Sequence, residues 1–150
     1  MLLFACYDSP FGPIQLGHAN GCIISIQRCD RKQKHIPSPV SELANQQLQE
    51  YFGGRRKTFD LPISPRGTPF QMAVWKALCE IPYGEVRTYG EIAAAIGNPK
   101  ASRAVGMACN RNPLWIVIPC HRILGSNRAL TGYAGGLEMK RTLLELEKHT

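Results

Sequence analysis

Thr88-Tyr89-Gly90-Glu91-Ile92-Ala93-Ala94-Ala95-Ile96-Gly97-Asn98-Pro99-Lys100-Ala101-Ser102-Arg103 carries the signals that decide the fold class of this chain. Thr88 followed three positions later by Glu91 is a capping box: the hydroxyl accepts from the Glu91 N–H while the carboxylate reaches back to the Thr88 N–H. The run that follows predicts a helix through Ile96. Gly97-Asn98-Pro99 is a short turn that ends it, because proline cannot continue a helix. A further helix is predicted from about Lys100 to Asn110. A short helix, a tight turn containing glycine and a second helix with basic residues outline a helix-turn-helix. On pattern alone an ordinary αα-hairpin reads equally well. The surrounding charge decides between them: from Glu91 to Glu138 there is no acidic residue, while Lys100, Arg103, Arg111, Arg122 and Arg128 fall in that stretch. A field of one sign over such a length suits a polyanion such as nucleic acid.

Upstream, Thr68-Pro69-Phe70-Gln71 is a second capping box with proline at the first helical position. Its helix brings Phe70, Val74, Ala77 and Leu78 toward a core and breaks at Pro82-Tyr83-Gly84. Ser38-Pro39 opens another helix to about Phe52, with Leu43, Leu48, Tyr51 and Phe52 available for burial, and Gly53-Gly54 ends it. Residues 1–36 read as β. Asp8 to Pro13 is turn chemistry, Ile14–Leu16 and Cys22–Ile26 are strand-like, and Arg28 to Lys34 is a polar loop. The basic connector Arg55 to Gly67 separates an N-terminal β-rich support domain, 1–60, from a C-terminal domain, 66–150. Downstream, Leu114-Trp115-Ile116-Val117-Ile118 is a short β-branched apolar run, expected as a buried extended segment stopped by Pro119. Ser126-Asn127 and Gly132 to Gly136 mark loops. A last amphipathic helix is expected from Leu137 to Glu147, burying Leu143, Leu144 and Leu146. The fold class is α/β (α+β): a small N-terminal β-ribbon or sheet domain, plus a mainly helical C-terminal domain with the helix-turn-helix and a candidate active-site cysteine.

The chain of 150 residues is 44% hydrophobic, enough for a real core, and carries a net charge of +7. No apolar run is long enough for a bilayer. The apolar start reaches Asp8 too soon and lacks a basic leader, so no secretory signal is expected. Six cysteines without a CxxC pair indicate reduced thiols and a cytoplasmic setting. Cys6, His18 and Cys22 are too loosely spaced to argue a metal site, and neither metal nor cofactor is expected.

Pro119-Cys120-His121-Arg122 follows directly on the apolar run. Proline stops the extended segment and lets Cys120 emerge at an edge of the core. A thiol there is inert while neutral, because the thiolate is the nucleophile and apolar surroundings raise its pKa. His121 is the natural activator. Neighbours on an extended chain point opposite ways, so the two interact only if the backbone turns here or through a bridging water. A third group must hold the imidazole, and Glu138, Glu145 and Glu147 are the downstream candidates. Asn110, Arg111 and Asn112 lie just before the run, where side-chain amides can pin a turn.

Ile118-Pro119-Cys120-His121-Arg122 resembles the signature of the O6-methylguanine-DNA methyltransferases. Thr68-Pro69-Phe70-Gln71, Ile81-Pro82-Tyr83-Gly84, Thr88-Tyr89, Ser102-Arg103-Ala104-Val105-Gly106, Asn112-Pro113 and Thr131-Gly132-Tyr133 are similar to that family's motifs in order and spacing. The likeness is dense over residues 66–147 and looser before them. It implies that Cys120 accepts the alkyl group, that His121 takes the thiol proton through a water, and that Glu147 orients His121. It implies that Asn112 braces the active-site turn, that Tyr89 serves the flipped base, and that Arg103 enters the duplex in place of the extruded nucleotide. Tyr133 would form a wall of the guanine pocket, with backbone groups near Cys120 and Ile123 reading the base edge.

The resemblance also implies a recognition helix in the minor groove of double-stranded DNA. Small or apolar Ala101, Ser102, Ala104 and Val105 suit close approach without base readout, and Lys100 and Arg111 suit phosphates. Little sequence specificity and strong salt dependence follow. The product thioether is stable, so one protein handles one lesion and a monomer suffices. The setting is the cytoplasm, or the nucleus in a eukaryote. Met107 is bulkier than the family's usual residue, Ile123 replaces a usual valine, and Trp115 is large for a place near the pocket, where it would narrow the site. A lesion-binding relative that does not react would lack Cys120. A helix-turn-helix regulator would need sequence readout from its helix, and a Cys-His hydrolase would need an oxyanion site that no motif supplies.

Overall fold

Ser38, Thr68 and Thr88 each cap a helix in the computed structural model, which describes residues 1–29 and 32–149. Asp30 and Arg31 of the expected polar loop lie outside the described residues. The chain forms two compact units, Met1–Arg66 and Gly67–Thr150.

The N-terminal unit is an antiparallel sheet in the order β1 (Leu3–Tyr7), β2 (Ile14–Ala19), β3 (Cys22–Arg28), covered by helix α1 (Pro39–Phe52). The β2–β3 hairpin turns on Asn20 and Gly21, with φ of 53° and 75°. This is the Asn-Gly pair that a tight hairpin turn favours, because its twist matches that of the strands. Register pairs Ala5 with Leu16 and Leu16 with Ile26, and these side chains are buried together with Ile23 and, from α1, Ala44, Leu48 and Tyr51. Residues 62–64 run beside β3: Ile23 N–H donates to Pro62 O and Ser64 N–H to Ile23 O, each at 2.9 Å. Gln47 ties this segment to α1 by bonding both the carbonyl and the N–H of Asp60.

One expectation for α1 fails. Leu43 is 40% exposed, while Ser41 and Gln47 are buried. Polar satisfaction sets the rotation of the helix: Ser41 Oγ closes the capping box with Ser38 and lies 2.8 Å from the Tyr7 hydroxyl. His18, weighed above as a metal ligand, has its Nε2 2.7 Å from Ile36 O.

In the C-terminal unit, α2 (Pro69–Cys79), α3 (Tyr89–Ala95) and α4 (Ser102–Asn110) pack on one another. The α4 helix begins at Ser102, so Lys100 and Ala101 precede it, Ala101 as an N-cap without a side-chain bond. Gly97, at φ 80°, makes the α3–α4 turn. Buried Val74 and Leu78 anchor α2 as expected. Buried Trp75 was not foreseen, and Phe70 and Ala77 are only half-buried. Trp75 Nε1–H donates to Ala108 O at 2.9 Å, satisfying the indole and locking α2 to α4. A Cβ on Gly67 would lie 2.5 Å from the Trp75 ring, so glycine lets the chain pass.

The run 114–118 is not extended. It folds into tight turns with Ile116 at φ 75°. The Asn112 side chain accepts from Leu114 N–H at 2.9 Å and donates to Ile118 O at 2.8 Å, taking the place of ladder partners. Leu114, Ile116 and Ile118 are nonetheless buried. After a 3₁₀ turn at Cys120–Arg122, strand β5 (Ile123–Leu124) pairs in parallel with β4 (Arg87–Thr88), joining the segment after Cys120 to the start of α3. The last helix, α5 (Leu137–His149), buries Met139, Lys140, Leu143 and Glu147, while Leu144 and Leu146 are half-buried.

Truncation in α1 separates the core from the exposed face. Leu48→Ala is expected to cost about 2–5 kcal/mol and Leu43→Ala no more than about 0.5 kcal/mol, read by urea denaturation. Equal losses would contradict this rotation of the helix.

Candidate active site

Cys120 is 2% exposed, at the head of the 3₁₀ turn. The turn closes through Arg122 N–H to Pro119 O at 3.0 Å, and Cys120 N–H donates to Ile118 O at 2.8 Å. The backbone thus turns at Cys120, although no hydrogen bond joins the Cys120 and His121 side chains among the described residues. The Asn112 amide also donates to Cys120 Sγ at 3.0 Å. One amide group therefore braces the 114–118 turn and touches the sulfur.

Of the three candidate carboxylates, Glu138 is exposed and Glu145 pairs with His149 at the surface. Glu147 is buried and lies at the centre of a network. Its Oε2 is 2.7 Å from His121 Nε2, and Arg122 donates from Nε to Oε1 at 2.7 Å and from Nη2 to Oε2 at 2.9 Å. Gly84 N–H reaches Oε1 at 3.4 Å. The other Arg122 branch donates to Ile81 O at 2.8 Å, and its guanidinium lies 5.6 Å from the Tyr83 ring centre. Arg122, counted above in the basic stretch, is buried and paired with Glu147, so its charge is met inside the protein and not presented to a polyanion.

Burial pushes the Cys120 thiol up to about 11, opposed by the Asn112 bond and the charge of Lys140. Burial also lowers the His121 imidazole below its ordinary range, against the pull of Glu147. The pair is therefore a neutral thiol beside a neutral imidazole. A neutral ring bonded to a carboxylate through Nε2 carries its proton there, which leaves Nδ1 as the basic nitrogen. Nδ1 makes no hydrogen bond among the described residues.

Around this centre, Tyr89 at the start of α3 is half-buried, and Thr131 Oγ1 lies 3.3 Å from its phenolic oxygen. Burial raises the Tyr89 phenol, so it stays protonated at neutral pH. Among the described residues the enclosed Tyr133 hydroxyl has no hydrogen-bond partner, and its ring centre lies 6.3 Å from that of Trp115. Ile123 is buried in β5. Lys100, Arg103, Ala104, Met107, Asn110 and Arg111 are exposed, and Ala101 and Ser102 are half-buried. Positions 103, 104, 107, 110 and 111 share one side of a helix, so these residues form the outer surface of α4 and not part of the Cys120 network. Thr131, which meets Tyr89, was quoted in a motif but given no role, and Lys140, buried on the same face of α5 as Glu147, was not singled out from the sequence.

Family models for the DNA-binding domain and the ribonuclease-like domain of 6-O-methylguanine DNA methyltransferase match residues 69–149 and 2–65. A methylated-DNA–protein-cysteine methyltransferase of Methanosarcina acetivorans is 51% identical over 153 aligned positions, covering 97% of this chain and 98% of its own. The constitutive enzyme of that name from Bacillus subtilis is 60% identical over 116 positions, 77% of this chain and 70% of its own. Among solved structures, a Mycobacterium tuberculosis protein crystallised in complex with DNA superposes with a TM-score of 0.89 at 46% identity, covering 97% of this chain and 92% of that one.

The buried thiol makes stability depend on pH. An unfolded thiol loses its proton near about 8.5, whereas folded Cys120 holds it to about 11. Between those values the folded state binds a proton that the unfolded state has lost, so this contribution is complete below the unfolded pKa and disappears as pH rises. His121 acts at the other end: its folded pKa is depressed, so its contribution is present above the unfolded value and is lost as pH falls. In urea denaturation, the stability of the native chain relative to Cys120→Ser is expected to fall as pH rises above the unfolded thiol's range. A difference that stays constant with pH would contradict it.

Proposed function

The chain belongs to the 6-O-methylguanine DNA methyltransferase family, and we propose that it repairs DNA by moving the alkyl group from O6 of an alkylated guanine irreversibly onto Cys120 Sγ. The observation that carries this reading is the buried network in which Asn112 holds the sulfur while Glu147 holds His121 and Arg122.

The reaction follows from that geometry. His121 Nδ1 takes the thiol proton, directly or through one water molecule, and Glu147 stabilises the imidazolium as it forms. The thiolate attacks the alkyl carbon. The C–O6 bond breaks, its electron pair goes to the guanine, and the leaving guanine takes up a proton from water while the imidazolium returns the thiol's proton to water, so that the proton count closes. Tyr89 receives a hydrogen bond from Thr131 and keeps its own proton to donate toward the guanine ring, stabilising the developing charge. The thioether has no good leaving group, so the thiol is not regenerated and each chain acts once.

An alkyl group on O6 is shielded inside a duplex stack, so the base must be flipped out. The α4 helix and the residues that flank it suit this: Arg103 fills the vacated space, Ala101, Ser102 and Ala104 allow close approach to a minor groove, and Lys100 and Arg111 contact phosphates. Binding is weakly sequence-specific and needs one copy of the chain, with residues 66–150 carrying DNA recognition and alkyl transfer and residues 1–60 in support. The protein works where the DNA is: the cytoplasm, or the nucleus in a eukaryote. Trp115, against Tyr133, narrows the pocket.

An oligonucleotide carrying O6-methylguanine is expected to leave one methyl group on the Cys120 peptide, at one per chain, in a mass spectrum, and none on Cys120→Ala. An unmodified Cys120 peptide with retained DNA binding would overturn the reading. Trp115→Ala is expected to speed repair of benzylated over methylated guanine by about tenfold; equal rates for both proteins on both substrates would refute the narrowing.

A further inference from the structure

Met107 is 69% exposed in the middle of α4, and among the described residues only Met1 is a more exposed large apolar side chain. The helix is not free to turn it inward. Val105, Ala108 and Cys109 are buried on the opposite side, and the Trp75 indole bonds Ala108 O across to α2. A second row of α4 faces α3: a Cβ on Gly106 would lie 3.6 Å from the Tyr89 ring, and a Cβ on Gly90 would lie 3.7 Å from Ser102 Oγ. Arg103 and Met107 form the next row round the helix, one turn apart and turned to solvent. The exposed stripe therefore borders Tyr89, which the proposed reaction sets against the flipped base.

Along this stripe Arg103 and Arg111 stand about 12 Å apart, with Met107 about 6 Å from each. The helix contains no acidic residue. An apolar side chain between two exposed cations suits a polyanion that also offers an apolar interior, which is a description of duplex DNA. Apolar side chains, methionine among them, enter minor grooves as wedges that part neighbouring base pairs. We propose that Met107 is a specificity-determining residue of DNA recognition, a wedge that enters the minor groove beside Arg103 and parts a base-pair step near the extruded nucleotide. The spacing of about 6 Å corresponds to roughly two base-pair steps. This rests on the reading that α4 lies in a minor groove, and it adds a second inserted side chain to that reading.

The two insertions differ in what they do. Arg103 replaces a nucleotide that has left the stack, whereas Met107 opens a step whose bases stay paired. A thioether cannot read the minor groove's hydrogen-bond pattern, which is degenerate in any case. It meets instead the resistance of the step to opening. Pyrimidine–purine steps open at lower cost than the stiff steps of an A-tract, so the sequence near the lesion affects repair without any base being contacted by a polar group. Burial of Met107 between bases removes from water the apolar surface that the free protein leaves exposed, which offsets part of the unstacking. The length of the side chain and its apolar character carry this effect, and leucine has both.

The test uses duplexes carrying O6-methylguanine, with 2-aminopurine, a base that fluoresces when unstacked, placed two base pairs to one side or the other. Cys120→Ser binds these duplexes without consuming the lesion, and binding is expected to raise the fluorescence on one side. M107A in the same background is expected to lose most of the rise, and M107L to keep it. With Cys120 intact, the native chain is expected to repair a lesion that has a TA step at that distance about tenfold faster than one that has an AA step. M107A is expected to bring this ratio close to one. Because Met107 stands in solvent, M107A is expected to keep the native urea midpoint, which verifies that it is folded. No rise on either side, an M107A that keeps the rise or the ratio, or an M107L that behaves as M107A, overturns the proposal. Methyl transfer to Cys120 that proceeds while these effects are absent sinks the wedge alone, whereas a native chain that transfers no methyl group sinks the reading beneath it.

Discussion

The active centre depends on one carboxylate. Glu147 lies in a buried position where an unpaired charge would be strongly unfavourable, and it is met by His121, by two nitrogens of Arg122 and by the N–H of Gly84. Such a cluster adds little net stability over an apolar packing of the same volume, but removing one partner leaves the others uncompensated. Its contribution is therefore geometric. It joins the last helix to the turn that follows Cys120 and, through Arg122 to Ile81 O, to the chain that leaves α2. The imidazole orientation follows from these bonds, because the carboxylate fixes which ring nitrogen carries the proton.

The thiol lies under an opposing constraint. The burial that encloses Cys120 also holds the thiol in its unreactive form. The contact that opposes this is the Asn112 amide proton on the sulfur, and a neutral imidazole follows Cys120 in the chain. Each is positioned by an element that also serves the fold. Asn112 shapes the 114–118 turn, and α5 closes the C-terminal unit.

Where the reading of the sequence succeeded, the signal was local. Ser38, Thr68 and Thr88 announce their helices because a capping bond spans only three residues, and the structure contains all three. The acid-free stretch begins within α3 after Glu91 and runs through α4, whose exposed side carries Arg103. The failures have physical causes in packing. The 114–118 run has strand composition, yet Asn112 bonds both its ends and folds it into turns. Leu43 fits an apolar face by residue type, yet the Ser41–Tyr7 contact turns α1 away from it. Trp75 is buried because Ala108, far along the chain, supplies a carbonyl for its indole.

The sequence by itself determined the three capped helix starts, the Cys-His pair after Pro119 and the short list of acids able to serve His121. Those features depend on neighbours within a few residues or on composition, and both are visible in a linear string. Only the tertiary structure decided that Glu147 rather than Glu138 or Glu145 meets His121, that Arg122 shares it, and that Lys140 is buried beneath the 131–132 loop. Those choices depend on the rotation of α5 as it packs against the Cys120 turn. That rotation is set by the joint burial of Met139, Leu143 and Glu147, in contacts whose partners are distant in the chain.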